Sequence, residues 1–181
     1  DLNLDINHDV RDAPSTGTVN QINFFIRFAD DPEFSEPRSY FDAVFQTDND
    51  EPSLKHYFWE VSYNNLLVNT YHYPGTFGVN NTAYVDEYNR SYYQPYSGAN
   101  PDGYQNSNER TQREHTLLAN AINSISPSVS ALLDIDADGD GLVDAVSFVI
   151  YGGTGDWADL LWPHRWALYS QEVFINGARV Y

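Results

Sequence analysis

Asp134-Ile-Asp136-Ala-Asp138-Gly139-Asp140-Gly141-Leu142-Val143-Asp144 puts five aspartates within eleven residues, directly before the apolar run Ala145 to Tyr151. Carboxylates so close together repel one another unless a cation sits among them. Calcium takes several hard oxygen ligands, and a glycine lets the chain turn sharply around the ion. Two registers fit. Starting at Asp134 puts Gly139 at the turn, but leaves Leu142 at the ninth position, where an acid is usual. Starting at Asp136 gives carboxylates at Asp136, Asp138 and Asp140, the turn at Gly141, the Leu142 carbonyl, and Asp144 at the ninth position. The second register uses more acids as ligands and is preferred, with Asp134 as the alternative ligand. Its twelfth position is Ser147, not a bidentate glutamate, and the loop leads into a strand. The expectation is therefore a structural calcium ion, with other ligands or waters completing its shell.

The charge balance supports cation binding. The 181 residues carry 26 acidic and 9 basic side chains, a formal net charge of -17. Such a surface repels phosphate backbones and anionic lipid, which argues against nucleic-acid and membrane partners. No apolar run approaches the ~20 residues of a spanning helix. Zero cysteines exclude disulfides, thiolate metal sites and a cysteine nucleophile together. The chain has no methionine and no secretion signal, so it is expected to be a piece of a longer product. Aromatic residues at 15% and hydrophobic residues at 41% suffice for a packed core.

Hydrophobic periodicity divides the chain into an extended lead-in over 1–18 and a single domain over 19–181. Val19 to Phe28 alternates as a strand, with Ile22, Phe24, Ile26 and Phe28 on one face. Pro37 to Phe45 predicts a short helix burying Tyr40, Phe41, Val44 and Phe45. Ser53 can cap a second helix that carries Leu54, Tyr57, Phe58 and Val61. Leu66 to Tyr73 reads as a strand, Tyr84 to Tyr104 as a long irregular segment, and Asn108 to Ile125 as the clearest helix. Ala145 to Tyr151 is a strand broken by Gly152, Gly153 and Gly155; Trp157 to Trp166 is a tryptophan-rich connection. A hairpin is expected around Asn176 and Gly177. Strands separated by helices predict an α/β (α+β) layer structure, a twisted mixed sheet packed on helices.

Several segments together resemble the immune inhibitor A-like family of secreted bacterial zinc metallopeptidases. They are INFFIRFAD, SYFDAVF, SLKHYFWEVSYNNLLV, DADGDGLVDAVSFVIYGG and LWPHRWAL, in the order and spacing of the first half of that family's catalytic domain. The resemblance implies a zincin-like amino-terminal lobe and endopeptidase chemistry on protein or peptide substrates in an extracellular setting. It also implies zinc held by a His-Glu-x-x-His helix farther along the full-length protein. This chain has no such motif: His8, His56, His72, His115 and His164 are its histidines, and no two are spaced as a ligand pair. No catalytic residue is therefore assigned, the fragment alone is expected to be inactive, and its own carboxy-terminal half is an implied partner.

Other constellations have plainer readings. His115 falls on the apolar face of a helix and reads as a hydrogen-bonded core residue; His56 and Glu60 share a helix face as a pair. His164 and Arg165 either line a substrate cleft or tie down an aromatic turn. Gly152-Gly153-Thr154-Gly155 lacks the lysine of a phosphate loop, and no Gly-x-Ser-x-Gly elbow occurs. Asn176 to Tyr181 is a candidate edge for pairing with extended peptide. The competing function is a non-enzymatic, calcium-stabilised adhesion or carbohydrate-binding module, in which the tyrosines of Tyr84 to Tyr104 stack on sugars. A glycoside hydrolase is a weaker reading, because nothing in the sequence sets two carboxylates at a working distance.

Overall fold

The computed structural model describes residues 13–47, 51–153 and 161–181. Most of the expected lead-in, together with Gly155 and Trp157, lies outside them. The pairings of β1 (Gly17–Arg27) set the main sheet. β2 (Leu66–Tyr73) runs parallel along Gly17 to Phe24, and the two-residue β3 (Tyr84–Val85) joins at Ile26 and Arg27. β4 (Val146–Ile150) runs parallel along Ile22 to Ile26. Ile22 to Phe24 pair with both β2 and β4, so those strands flank β1 on opposite edges. Ile26 pairs with both β3 and β4, so β3 continues the edge that β2 begins. Every described pairing in this sheet is parallel; the antiparallel pairing belongs to the separate hairpin of β5 (Val173–Ile175) and β6 (Ala178–Val180).

A parallel sheet is buried on both faces, and β1 follows that rule. Ile22, Phe24, Ile26 and Phe28 are all fully buried, and they share core clusters with Leu117, Ala121 and Ile122 of α3 (Ser107–Ile125). On the opposite face Phe25 meets Phe41 of α1 (Arg38–Gln46) edge-on, with ring centroids 4.7 Å apart. Val19 and Val68 pack there against Leu54 and Phe58 of α2 (Leu54–Val61). Helices thus cover both sides of the sheet, and the protein is α/β.

Two helix faces differ from the expectation. Tyr40 and Val44 are 54% and 46% exposed, and Tyr57 and Val61 are 58% and 53% exposed. Both helices lie in an outer layer, where only one narrow stripe reaches the sheet. Phe41 with half-buried Phe45, and Leu54 with Phe58, are such i,i+4 stripes. The neighbouring apolar positions are turned to solvent.

The hairpin turn has Asn176 at φ 50° and Gly177 at φ 93°, the positive-φ pair that a two-residue connection requires. Val173, Ile175, Ala178 and Val180 then point into the same core as Ile22 and Ile122.

Candidate metal centre

The aspartate loop is shaped by its own side chains. Asp134 Oδ1 accepts from the Asp136 amide at 3.4 Å, Asp138 Oδ1 from Asp140 at 3.2 Å, and Asp140 Oδ1 from Leu142 at 2.7 Å. Each aspartate thereby curls the chain two residues on, the Asx geometry for which this residue is suited. Gly139 and Gly141 adopt φ 73° and 85°, in the region that costs a side-chain-bearing residue most. Asp136 Oδ2 accepts from the Gly141 amide at 3.0 Å, linking the first acid of the preferred register to its turn glycine.

This curling brings one carboxylate oxygen from each of Asp136, Asp138 and Asp140 within 4.8 Å of the others. Asp136 Oδ1 is buried, and among the described residues no hydrogen bond reaches it. A buried carboxylate oxygen without a partner is costly, and a hard cation would satisfy it. The residues therefore fit calcium. Three carboxylates alone lack the nitrogen and sulfur donors that most zinc sites include. Among the described residues no group of three containing a histidine comes close enough to share an ion.

Asp144 is not one of those three. Its Oδ2 accepts from the Ala137 amide at 2.9 Å and its own amide donates to the Ile135 carbonyl at 2.9 Å, closing the neck of the loop. Burial pushes its carboxyl up, and the charges of Asp138, Asp136 and Asp134 push the same way against the Ala137 hydrogen bond. Asp134 also uses its carbonyl, which accepts from Asn20 Nδ2 at 2.7 Å. Ser147, at the twelfth position, is drawn into the sheet instead. It accepts from Gln21 Nε2 at 2.6 Å and donates to Asn23 Oδ1 at 2.8 Å.

Ser147 begins a polar row that crosses the sheet. Asn23 bonds Ser147 on one side and His72 Nδ1 on the other, at 3.0 Å, and His72 Nε2 lies 3.6 Å from Asp42. Arg38 closes the end of the row, donating to Asn81 Oδ1 at 2.6 Å and to the carbonyls of His72 and Pro74. Burial, then the charge of Arg38, holds the His72 imidazole down at about 4, against the opposite pull of Asp42. Sequence reasoning missed this row. The signal was Asn23, a fully buried amide between Ile22 and Phe24, which demands partners.

The loop also walls a cleft of about 910 Å³ that follows β4 and reaches Asp140, Asp144, Ser147, His115, Arg165 and Trp166. His115 is buried as expected, with Nδ1 2.6 Å from Ser170 Oγ, and burial lowers its pKa. His164 is held at both nitrogens, by the Trp162 carbonyl at 2.7 Å and by Glu114 Oε1 at 2.8 Å. Arg165 lines the cleft. His56 and Glu60 pair at 3.4 Å on α2. Within the glycine turn, Arg90 donates to the Gly153 carbonyl at 3.0 Å, so a protein cation binds this backbone. Tyr88 and Tyr92 stack on each other at 4.0 Å, with Arg113 3.7 Å from the Tyr92 ring, so these aromatics are packed against protein groups. No family model and no curated protein matches this chain.

Proposed function

We propose that this chain is the calcium-stabilised amino-terminal lobe of a secreted zinc-dependent endopeptidase. The observation that carries the calcium part is the grouping of Asp136, Asp138 and Asp140 around a common centre, with a buried Asp136 oxygen left for an ion. Calcium there would neutralise the loop and fix the start of β4, with Asp144 closing the neck and the Leu142 carbonyl available to the shell. The peptidase part rests on the five segments that resemble the immune inhibitor A-like family. The α/β arrangement and the cleft along β4 are compatible with it. Zinc, when bound in the full-length protein, would supply an activated water for attack on a peptide carbonyl. This chain's residues would supply the scaffold beside it, and its described residues offer no zinc set of their own.

The test is a fluorogenic-peptide assay on two preparations, the full-length secreted protein and residues 1–181 alone. The reading expects zinc-dependent turnover by the first and none by the second. Full-length protein that cuts no peptide but retains a glycan on an array would favour the adhesion-module reading.

A further inference from the structure

Two consecutive residues of α3, Glu114 and His115, hold the segment from Trp162 to Ser170. His115 takes its far end, through Ser170 Oγ at 2.6 Å and the ring of Tyr169 at 4.8 Å edge-on. Glu114 takes its near end, through His164 Nε2 at 2.8 Å. Glu114 is 7% exposed, and its second oxygen is buried without a hydrogen-bond partner, so the carboxyl has little access to water.

The hydrogen-bond chemistry of His164 fixes the proton inventory. A carbonyl oxygen only accepts, so Nδ1 must carry a hydrogen to bond Trp162 O at 2.7 Å. Nε2 then binds Glu114 in only two ways: as an imidazolium donating to a carboxylate, or as a neutral acceptor from a carboxylic acid. Both arrangements hold one proton between Nε2 and Oε1. Remove it, and a nitrogen lone pair faces a buried carboxylate.

We propose that Glu114 and His164 form a proton-dependent latch that fastens Trp162 to Ser170 against α3 and lets go as pH rises. The released segment is a wall of the 910 Å³ cleft, which Arg165, Trp166 and Leu168 also line, so the latch sets access to that cleft. Among the described residues, Arg110 on α3 acts on the Glu114 carboxyl, His115 lies beside it with Tyr169 packed on its ring, and Arg165, Asp140 and Asp144 line the same cleft. Burial raises the carboxyl of Glu114 against the opposing pull of His164 and Arg110, which favours keeping the shared proton. His115, held neutral by burial, resists protonation and limits the contact on the acid side instead. The two residues therefore act at opposite ends of the pH range. The shared proton belongs to the pair, not to either residue.

Amide hydrogen exchange of residues 162–170, corrected for intrinsic rates, tests the latch from about pH 6 to about pH 9. In the unmodified protein, protection of this segment should fall by up to about tenfold per pH unit above the pH at which the released pair gives up its proton, and level off once the latched pair has lost it too, while β1 stays protected. Glu114→Gln should abolish the fall on the alkaline side, because its amide donates to the neutral His164 Nε2 and no proton need be shared. His164→Gln should do the same, donating to the carboxylate, and it serves if the first variant loses β1 protection. A flat profile in the unmodified protein would overturn the proposal. So would a variant, folded by the β1 criterion, that shows the same pH-dependent fall.

Discussion

Arg179 donates its amide to the Gly141 carbonyl at 2.8 Å, and its carbonyl accepts from Val143 at 2.8 Å, so the turn of the aspartate loop is bonded to β6. Val180 beside it enters the core shared with Ile22 and Ile122. The loop is thereby tied to the hairpin of β5 and β6.

Gly141 is the position where this matters most. Its φ of 85° is strained for any side chain, although a Cβ there would meet nothing within 4 Å. Gly141→Ala should therefore cost about 1–2 kcal/mol by backbone strain alone. Gly98 is equally open but does not have that backbone, so Gly98→Ala should stay within about 0.5 kcal/mol of the parent. Urea unfolding of both variants makes the comparison; equal stabilities would show that the turn geometry is wrong.

Much of this architecture was legible because it is local. Period-two apolarity located β1, Leu66 to Tyr73 proved to be β2 with the same bounds, and Asn-Gly marked the hairpin turn. The alternating aspartates announced their own curl, since each Asx bond spans only two residues. What stayed hidden depends on partners far along the chain. Asn23 can be seen as misplaced, but its bonds to His72 and Ser147 exist only once β2 and β4 are in register on either side of it. Glu114 reads as a solvent-facing helix acid until His164 is folded onto it. Tyr40 and Val44 fit the pattern of a core stripe, yet an outer-layer helix needed only Phe41 and its neighbour one turn on.

Ser53 caps α2 and also fastens it. Its Oγ accepts from the His56 amide at 3.1 Å and donates to the Thr47 carbonyl at 2.8 Å. Ser53→Ala should cost about 1–2 kcal/mol, the upper part of the range for lost helix caps, because a part-buried bond to the Thr47 carbonyl goes with it. Chemical denaturation checks the figure. A variant as stable as the parent would mean that neither bond contributes.

Stability should fall on acidification, with a sign set by His72. Its folded-state pKa, about 4, lies below the ordinary histidine value near 6.5, so the folded protein binds fewer protons than the unfolded chain between the two. The contribution is intact above about 6.5 and is lost as pH falls toward 4. His115, also lowered by burial, acts in the same direction. Denaturation midpoints at about pH 7 and about pH 4.5 should differ less in His72→Gln than in the parent. An unchanged pH dependence in that variant would remove His72 from the account.

If a divalent ion among Asp136, Asp138 and Asp140 completes the fold, thermal unfolding should separate the protein in calcium from the protein in chelator. Calcium at ~100-fold over its dissociation constant should add roughly 2.7 kcal/mol of stability. Asp138→Asn should reduce or abolish that gain while changing stability in chelator far less. Identical melting temperatures in calcium and in chelator would mean that no ion is held there.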